Sequence, residues 1–441
     1  MNTATKVKLS AMMFLEFFIW GAWCVTLATY LGTTLKFSGG QIGNAFLTMA
    51  IASVISPIFV GMIADKFFPA QLLMGVLHLL GAALMFAAAK VQTPGLFFWV
   101  LLGYTLCYMP TLALCNTIAF NQMTNSEKEF PLIRAIGTSG WIVVGLLIGY
   151  GLKSTFENIE ASNIPLLIAA GSSLLMGIYS FFLPHTPPQG KGKKVTLGDI
   201  FGIEAWALLK DGYFLVFVLA SLFISATTSF YINFANPFFN AMSLPYPAAL
   251  MTSGQISEFL FTALLGFFFA TIGVKWMLSL GMLSWGLRYI LMMNDAGPGY
   301  ALWILAIIIH GVCYGFFFTA GQVYVGKVAP KSIQASAQGF IALITFGLGQ
   351  GLGSVISGRI VQHYTVNDVT NWSKVWLVPA IVSIVAGVLF AIFFKVKPAE
   401  EICDDAEEIP DAPEADCRAD LLQTCTCLQT AALPLPQIPY C

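Results

Sequence analysis

The chain alternates long apolar segments with short polar ones, and this alternation limits what it can fold into. About 20 consecutive apolar residues are enough to cross a bilayer core as one helix. Segmentation by that length predicts twelve membrane-spanning helices, at residues 9–31, 41–63, 70–90, 95–121, 133–152, 164–184, 213–236, 250–273, 275–294, 300–326, 333–361 and 374–395. Charged residues make up 10% of the chain, against about 25% in a typical soluble domain. The sequence therefore predicts an all-α polytopic membrane protein.

The longest polar connection, residues 185–211, separates the sixth span from the seventh and is basic. It predicts two six-helix bundles, at 1–184 and 212–397, joined by a cytoplasmic linker at 185–211. The remaining residues, 398–441, are acidic and proline-containing and predict a disordered cytoplasmic tail. The tail cysteines lack the spacing of a zinc site, and no cofactor or metal is predicted anywhere in the chain.

The two halves resemble each other in sequence. The stretches FPLIRAIGTSGWI (130–142) and APKSIQASAQGFI (329–341) align without gaps, and the pair Cys107-Tyr108 recurs as Cys313-Tyr314. These matches predict a parallel repeat of six spans. Carriers built this way bind their substrate near the midplane between the halves and expose it to each side in turn.

The distribution of basic residues predicts the orientation in the membrane. Most lysines fall in segments that share a side with both chain ends, and the opposite side carries only Lys36, Lys90, Lys153, Arg359 and Lys374. Because basic loops stay in the cytoplasm, both termini are predicted to be cytoplasmic. An even number of spans agrees with this orientation.

Four charged residues stand out inside the apolar sequence of the predicted spans: Glu16, Arg134, Glu258 and Arg288. A charged side chain at the centre of a span costs about 2.5–3.5 kcal/mol on insertion scales, so such residues usually face a cavity and a partner. These four positions are therefore the first candidates for a functional site.

On span five, Arg134, Thr138 and Trp141 recur at i, i+4 and i+7, which places them on one helix face. This combination suits a small polar ligand with a flat ring, although Arg134 could instead extend to water at the cytoplasmic end. On span eight, Gln255 and Glu258 supply donors and acceptors of the kind that hydroxyls or a base edge require. The alternative for Glu258 is shallow burial near the end of its span.

Glu16 lies on one face of span one with Trp20 and Trp23. Two interpretations stay open for its carboxylate. It either loads and releases a proton inside a low-dielectric pocket or forms a structural ion pair with Arg134 or Arg288.

Spans seven and ten add further polar candidates. Asn233 and Asn236 precede Pro237, a pattern that predicts a locally broken helix whose free backbone groups face a cavity. On span ten, His310 and Tyr314 share a face, although a single histidine can also serve only as a hydrogen-bond partner for a neighbour. We interpret these side chains as part of an amphipathic cage of rings, amides and carboxylates.

Several of these segments resemble the bacterial nucleoside:proton symporters of the major facilitator superfamily. The resemblance is carried by FLEFFIWGAW, GMIADK, YMPTLALCNTIAF, FPLIRAIGTSG, GQISE and SAQGF, and it covers residues 6 to about 397. The GMIADK loop marks only the superfamily, whereas PLIR-x-x-GT-x-G combined with Q-I-S-E is much more specific.

The resemblance implies the major facilitator fold and proton-coupled nucleoside import across the bacterial inner membrane. The net charge of -1 predicts no nucleic-acid partner, and we expect a monomer. The resemblance assigns substrate binding to Arg134, Thr138, Trp141, Gln255, Glu258 and Tyr314, with Asn233 and Asn236 on a less secure alignment. One departure concerns Gly315, since a family member carries an aspartate there. That member has a neutral amide near the position of Glu16, so we hypothesise that a proton-coupling carboxylate has moved to span one, leaving Glu16 and Glu258 as the acidic pair.

Three other functions remain alternatives at this stage. A facilitative nucleoside uniporter would have almost the same cavity, and a carrier for a sugar would use the same stacking rings. An intramembrane enzyme would need a nucleophile–base set or metal ligands, which histidines at 78, 185, 310 and 363 do not supply. The sequence therefore predicts a carrier that is not an enzyme.

Overall fold

A helix lies in each of the twelve predicted spans in a computed structural model that describes residues 1–59, 68–188, 203–294, 299–330 and 333–396. Within these ranges, nine helices are long and apolar enough to cross a membrane: α1 (Thr3–Thr34), α3 (Ala70–Ala88), α4 (Pro94–Gln122), α5 (Glu129–Gly151), α7 (Gly212–Ala241), α9 (Leu265–Met292), α10 (Tyr300–Val328), α11 (Ser336–His363) and α12 (Trp372–Phe393). The other three are α2 (Gly39–Phe59), α6 (Ile164–Ser180) and α8 (Pro247–Ala263). The predicted all-α membrane fold is confirmed, and the count of twelve crossings is confirmed only in part.

Several helix boundaries follow from local chemistry. The Asp211 carboxylate caps α7 by accepting hydrogen bonds from the backbone N–H groups of Tyr213 and Phe214, at 2.7 and 3.1 Å. Between the predicted spans eight and nine, Gly273 breaks the helical path with φ 71° and ψ 164°. Residues other than glycine rarely adopt such a positive φ, so the predicted boundary at this point has a clear local cause.

Helix α7 differs from the sequence prediction. It runs without interruption from Gly212 to Ala241 with Pro237 inside it, so the predicted break before Pro237 is wrong. A proline removes one backbone donor and leaves the rest of the hydrogen-bond ladder in place. Close packing on both sides of α7 keeps the helix continuous here, since Asn233 and Asn236 are 2% and 1% exposed.

The two halves, α1–α6 and α7–α12, pack most closely at one end of the molecule. This distal end lies opposite the N-terminus. Helices α1 and α7 end there, and α2 begins there. A Cβ added at Gly43 of α2 would lie 2.3 Å from the carbonyl oxygen of Ser354 in α11, and one added at Gly149 would lie 2.4 Å from the backbone nitrogen of Ala249. Glycine therefore permits direct backbone contact between the halves at the distal end.

The connections are short where the structure describes them. A two-residue hairpin joins α11 to α12, with β1 (Thr365–Val366) antiparallel to β2 (Val369–Thr370), and a 3-10 segment, Ile203–Lys210, precedes α7. Most of the predicted linker, the GMIADK loop and the predicted tail from residue 398 lie outside the described residues. Their predicted roles stay predictions.

Candidate functional site

The polar face of α5 lies against the other half of the molecule. Arg134 is half-buried, its Nη1 donates to Thr138 Oγ1 at 3.5 Å, and its Cζ lies 4.1 Å from the ring centroid of Phe17. Glu258 and Tyr314, both from the C-terminal half, lie close enough to interact electrostatically with its charge. Arg134 therefore faces acidic and aromatic groups across the boundary between the halves.

Aromatic rings surround this position on the N-terminal side. Trp141 packs edge-on against Trp20 at a centroid distance of 5.4 Å, and Trp20 in turn lies 6.1 Å from Tyr108. The indole Nε1 of Trp20 is buried and has no hydrogen-bond partner among the described residues. Trp141 itself is partly accessible, so this group offers a stacking surface.

The C-terminal side supplies an amide, a carboxylate and an imidazole. Gln255 and Glu258 are both partly buried on α8, and Gln255 Oε1 has no hydrogen-bond partner within the described part of the chain. His310 Nε2 lies 3.5 Å from Glu258 Oε2, and the side chains of His310 and Glu258 are 12% and 28% exposed. The ring of Tyr314 lies 5.7 Å from that of His310. We call Arg134, Thr138, Trp141, Gln255, Glu258, His310 and Tyr314 the interhalf site.

Arg288 lies behind this site and is fully buried. Its Nη1 is 2.8 Å from His310 Nδ1, and its Cζ lies 3.2 Å from the centroid of the Tyr231 ring. A cation over an aromatic face is stabilised by the ring quadrupole. The guanidinium is thus held between an imidazole and a ring instead of facing the space between the halves.

Glu16 belongs to a separate polar group inside the N-terminal half. The carboxylate is 0% exposed, accepts from Thr111 Oγ1 at 2.7 Å and lies 3.0 Å from His78 Nε2. Cys115 Sγ lies 3.5 Å from the same carboxylate, and His78 Nδ1 lies 3.1 Å from Ser173 Oγ. We call these five residues the Glu16 cluster. The carboxylate is paired with His78, so the ion pair of Glu16 with Arg134 or Arg288, one of the two interpretations left open by the sequence, does not occur in this structure.

The Glu16 cluster predicts a stability effect. Glu16→Ala leaves the Thr111 hydroxyl and His78 Nε2 buried and without their partner, and should lower the free energy of unfolding by about 3 kcal/mol. The measurement is the thermal unfolding midpoint of the purified protein in detergent. Glu157→Ala, the same change at an exposed glutamate, is the control and should have little effect. An unchanged midpoint in Glu16→Ala would contradict a structural role for this carboxylate.

Asn233 and Asn236 do not join the interhalf site. Asn233 Nδ2 donates to Ser354 Oγ and Ser357 Oγ at 3.2 and 3.4 Å, which keeps its amide in contact with α11. Asn236 accepts from Thr29 Oγ1 at 2.5 Å and donates to Glu160 Oε2 at 2.8 Å. Both amides are occupied by protein contacts, which removes the geometric basis for counting them with the substrate site.

Glu160 is the centre of a polar contact between the halves at the distal end. It is 4% exposed and lies in a 3-10 turn between α5 and α6, Ile159–Ala161. Its Oε2 also accepts from Asn240 Nδ2 at 3.0 Å, and its Oε1 accepts from the backbone N–H of Ala248 at 3.2 Å. We call Thr29, Glu160, Asn236, Asn240 and the Ala248 amide the distal latch, because it joins one half to the other.

Sequence reasoning missed the distal latch and the four other members of the Glu16 cluster. Glu160 lies in a loop, so a search for charges inside apolar spans passes over it. His78 does lie inside span three, where an ionisable residue is a signal of the kind used for Glu16. The polar positions of span three could therefore have pointed to His78 as the partner of Glu16.

A two-bundle helical membrane protein with partly accessible charged and aromatic groups between its halves is a carrier of the major facilitator type. The comparisons with known proteins agree with this class. A crystal structure of the nucleoside transporter NupG superposes with a TM-score of 0.81 at 33% identity, over 90% of this chain and 100% of that one.

The chain belongs to the nucleoside H+ symporter family, whose model matches residues 1–399. It is 42% identical to the putative nucleoside transporter YegT of Escherichia coli over 401 residues, covering 89% of this chain and 94% of YegT. It is 33% identical to the nucleoside permease NupG of the same organism over 408 residues, covering 89% and 96%. These findings confirm the family resemblance read from the sequence and identify a transporter instead of an enzyme.

Proposed function

We propose that this protein imports nucleosides together with protons by alternating access, and that the interhalf site binds the substrate. The observation that carries the proposal is that the helix of Arg134 packs against the helix of Glu258, with Glu258 and Tyr314 within electrostatic range of the guanidinium. A ligand held between groups from both halves couples their relative movement to its own binding, as carriers of this architecture require.

The chemistry of the interhalf site fits a nucleoside. Ribose hydroxyls and base edges both donate and accept hydrogen bonds, and Arg134, Thr138 and Gln255 offer matching groups. Trp141 and Tyr314 present rings on which a base can stack. Glu258 is the partly accessible carboxylate of this site, and we assign the coupled proton to it. Glu16 is sealed inside the N-terminal half, which favours a structural role.

The orientation, the membrane location and the oligomeric state of the protein are also part of the proposal. The basic residues favour cytoplasmic termini, which places the distal latch on the outer side of the membrane. We propose a monomer in the bacterial inner membrane with no nucleic-acid partner. The latch is closed here, so the described conformation is the one in which the outer side is shut.

Nucleoside specificity predicts a defined pattern of competition. Nucleosides added at concentrations far above their Kd values should reduce the uptake of radiolabelled uridine into cells expressing the protein about tenfold or more. Sugars should reduce this uptake little. The measurement is initial uptake with purine nucleosides, pyrimidine nucleosides, nucleobases and sugars as competitors.

The same assay separates the two rival functions. Competition by sugars instead of nucleosides would identify a sugar carrier and overturn the proposal. Uptake that never exceeds the external concentration, and that a protonophore leaves unchanged, would identify a facilitative uniporter. Cells carrying the empty vector provide the background.

A further inference from the structure

Arg288 fixes which nitrogen of His310 carries the ring proton. A guanidinium has only N–H donors and remains protonated in proteins, so the 2.8 Å contact from its Nη1 requires His310 Nδ1 to accept. A neutral imidazole that accepts at Nδ1 carries its single proton on Nε2. The buried position of Arg288 against Tyr231 holds this arrangement in place.

The fixed tautomer has a consequence for Glu258. The Nε2–H of His310 is the group that lies next to the Glu258 carboxylate, at 3.5 Å. A second proton on the ring would place an N–H at Nδ1 against the N–H of Arg288, and would add a positive charge beside a buried one. The next proton to enter this chain of residues therefore goes to Glu258.

The Glu16 cluster is arranged in the opposite way. Ser173 Oγ donates to the backbone carbonyl of His78 at 3.1 Å, so its lone pairs accept from His78 Nδ1–H, also at 3.1 Å. With Nδ1 already protonated, the 3.0 Å contact between His78 Nε2 and Glu16 Oε2 needs a further proton between them. The contact between Glu16 and His78 thus holds one shared proton, whereas in the contact between His310 and Glu258 the proton belongs to His310 Nε2.

We propose that Arg288 is a positioning residue for proton coupling, which holds His310 as the neutral Nε2–H tautomer and so directs the transported proton to Glu258. The inference rests on the proposed function, since it names Arg288 as the residue that prepares the Glu258 carboxylate for proton coupling. It also accounts for a histidine at the interhalf site that does not itself carry the proton.

The ionisable groups around Glu258 and His310 come from every neighbouring helix. They are Arg134 of α5, Tyr231 of α7, Arg288 of α9, and Cys313 and Tyr314 of α10. Two of them, Arg134 and Arg288, are cations that oppose protonation of Glu258. Removing the charge of Arg288 should therefore shift the pH profile of nucleoside uptake toward higher pH.

The test reads the protonation of His310 directly. The wild-type protein, labelled with nitrogen-15 histidine and placed in lipid nanodiscs, is followed by NMR from about pH 8 to about pH 5, the range in which an ordinary histidine titrates. His310→Gln identifies the His310 signals by their loss. The expected result is a neutral ring with its proton on Nε2 throughout. A doubly protonated ring, or a proton on Nδ1, would overturn the proposal.

Variants of Arg288 provide the functional readout. In Arg288→Met the His310 ring should take up a second proton within the same range, and the pH of half-maximal nucleoside uptake should rise by about one unit. Arg288→Lys keeps a donor and a charge and should stay close to wild type. Arg359→Met, the matched change at an exposed arginine of α11, should alter neither property. Unchanged His310 titration and an unchanged pH profile in Arg288→Met would overturn the assignment.

Failure of the inference about Arg288 can be distinguished from failure of the proposed nucleoside transport. If wild-type vesicles show no nucleoside uptake at any pH, the proposed substrate is wrong, and the NMR spectra still report the His310 tautomer. If Arg288→Met does not fold, the wild-type spectrum and Arg288→Lys still decide the proposal.

Discussion

Glu258→Gln should abolish nucleoside accumulation against a gradient while leaving exchange of nucleoside across the membrane within a few-fold of wild type. Glutamine keeps the shape and hydrogen-bonding capacity of the side chain and cannot bind or release a proton in this range. At one proton per nucleoside, each unit of pH gradient sustains at most about tenfold accumulation. A gradient of about two units should therefore produce about 100-fold accumulation in wild type and none in the variant.

The measurement uses proteoliposomes with an imposed pH gradient, and counterflow of labelled uridine reports exchange. Glu16→Gln is the matched control, because it neutralises the other carboxylate on which proton coupling could depend. Per molecule of folded protein it should accumulate nucleoside normally. If Glu258→Gln still concentrates nucleoside, or if Glu16→Gln alone loses this ability, the coupling proton does not travel on Glu258.

Glu160→Gln should weaken the distal latch and shift the protein toward conformations that are open at that end. The carboxylate accepts hydrogen bonds from Asn236, Asn240 and the Ala248 backbone, whereas an amide replaces one accepting oxygen by a donor. Hydrogen bonds to charged groups contribute about 1.5–3 kcal/mol, so the ratio of closed to open molecules should fall by about tenfold or more. Spin labels at Thr155 and Ala241, exposed positions in opposite halves, report the change as a longer distance.

Glu157→Gln provides the control for this experiment. Glu157 is exposed and lies in the same connection between α5 and α6, so the chemical change is identical and the latch stays intact. The distance distribution should match that of wild type. An equal distribution in Glu160→Gln would mean that the direct helix contacts, such as Gly43 with Ser354, hold the distal end closed without help from the latch.

Much of the fold could be predicted because its strongest determinants are local. Apolar length places each of the twelve helices, and the repeat shared by residues 130–142 and 329–341 indicates the two halves. The break at Gly273 falls where the sequence predicts the boundary between spans eight and nine. The exception is Pro237, where the effect of a single missing donor depends on the tertiary contacts of α7, and these cannot be read from a local pattern.

The candidate site was harder to predict, since helix periodicity tells which residues share a face and not what that face meets. It grouped Arg134 with Thr138 and Trp141, and Gln255 with Glu258, and the structure brings both groups toward the boundary between the halves. It could not tell that Glu16 faces His78, because that contact joins residues on separate helices. The amides of Asn233 and Asn236 resemble ligand-binding groups in sequence, and only their partners reveal a different use.

The Glu16 cluster joins four helices, with Glu16 on α1, His78 on α3, Thr111 and Cys115 on α4, and Ser173 on α6. Separating any of these helices would leave a buried polar group without a partner in a medium that cannot replace it. These four helices of the N-terminal half should therefore turn as one stiff unit during the transport cycle, and the bending that accompanies each cycle should fall on helices outside this set.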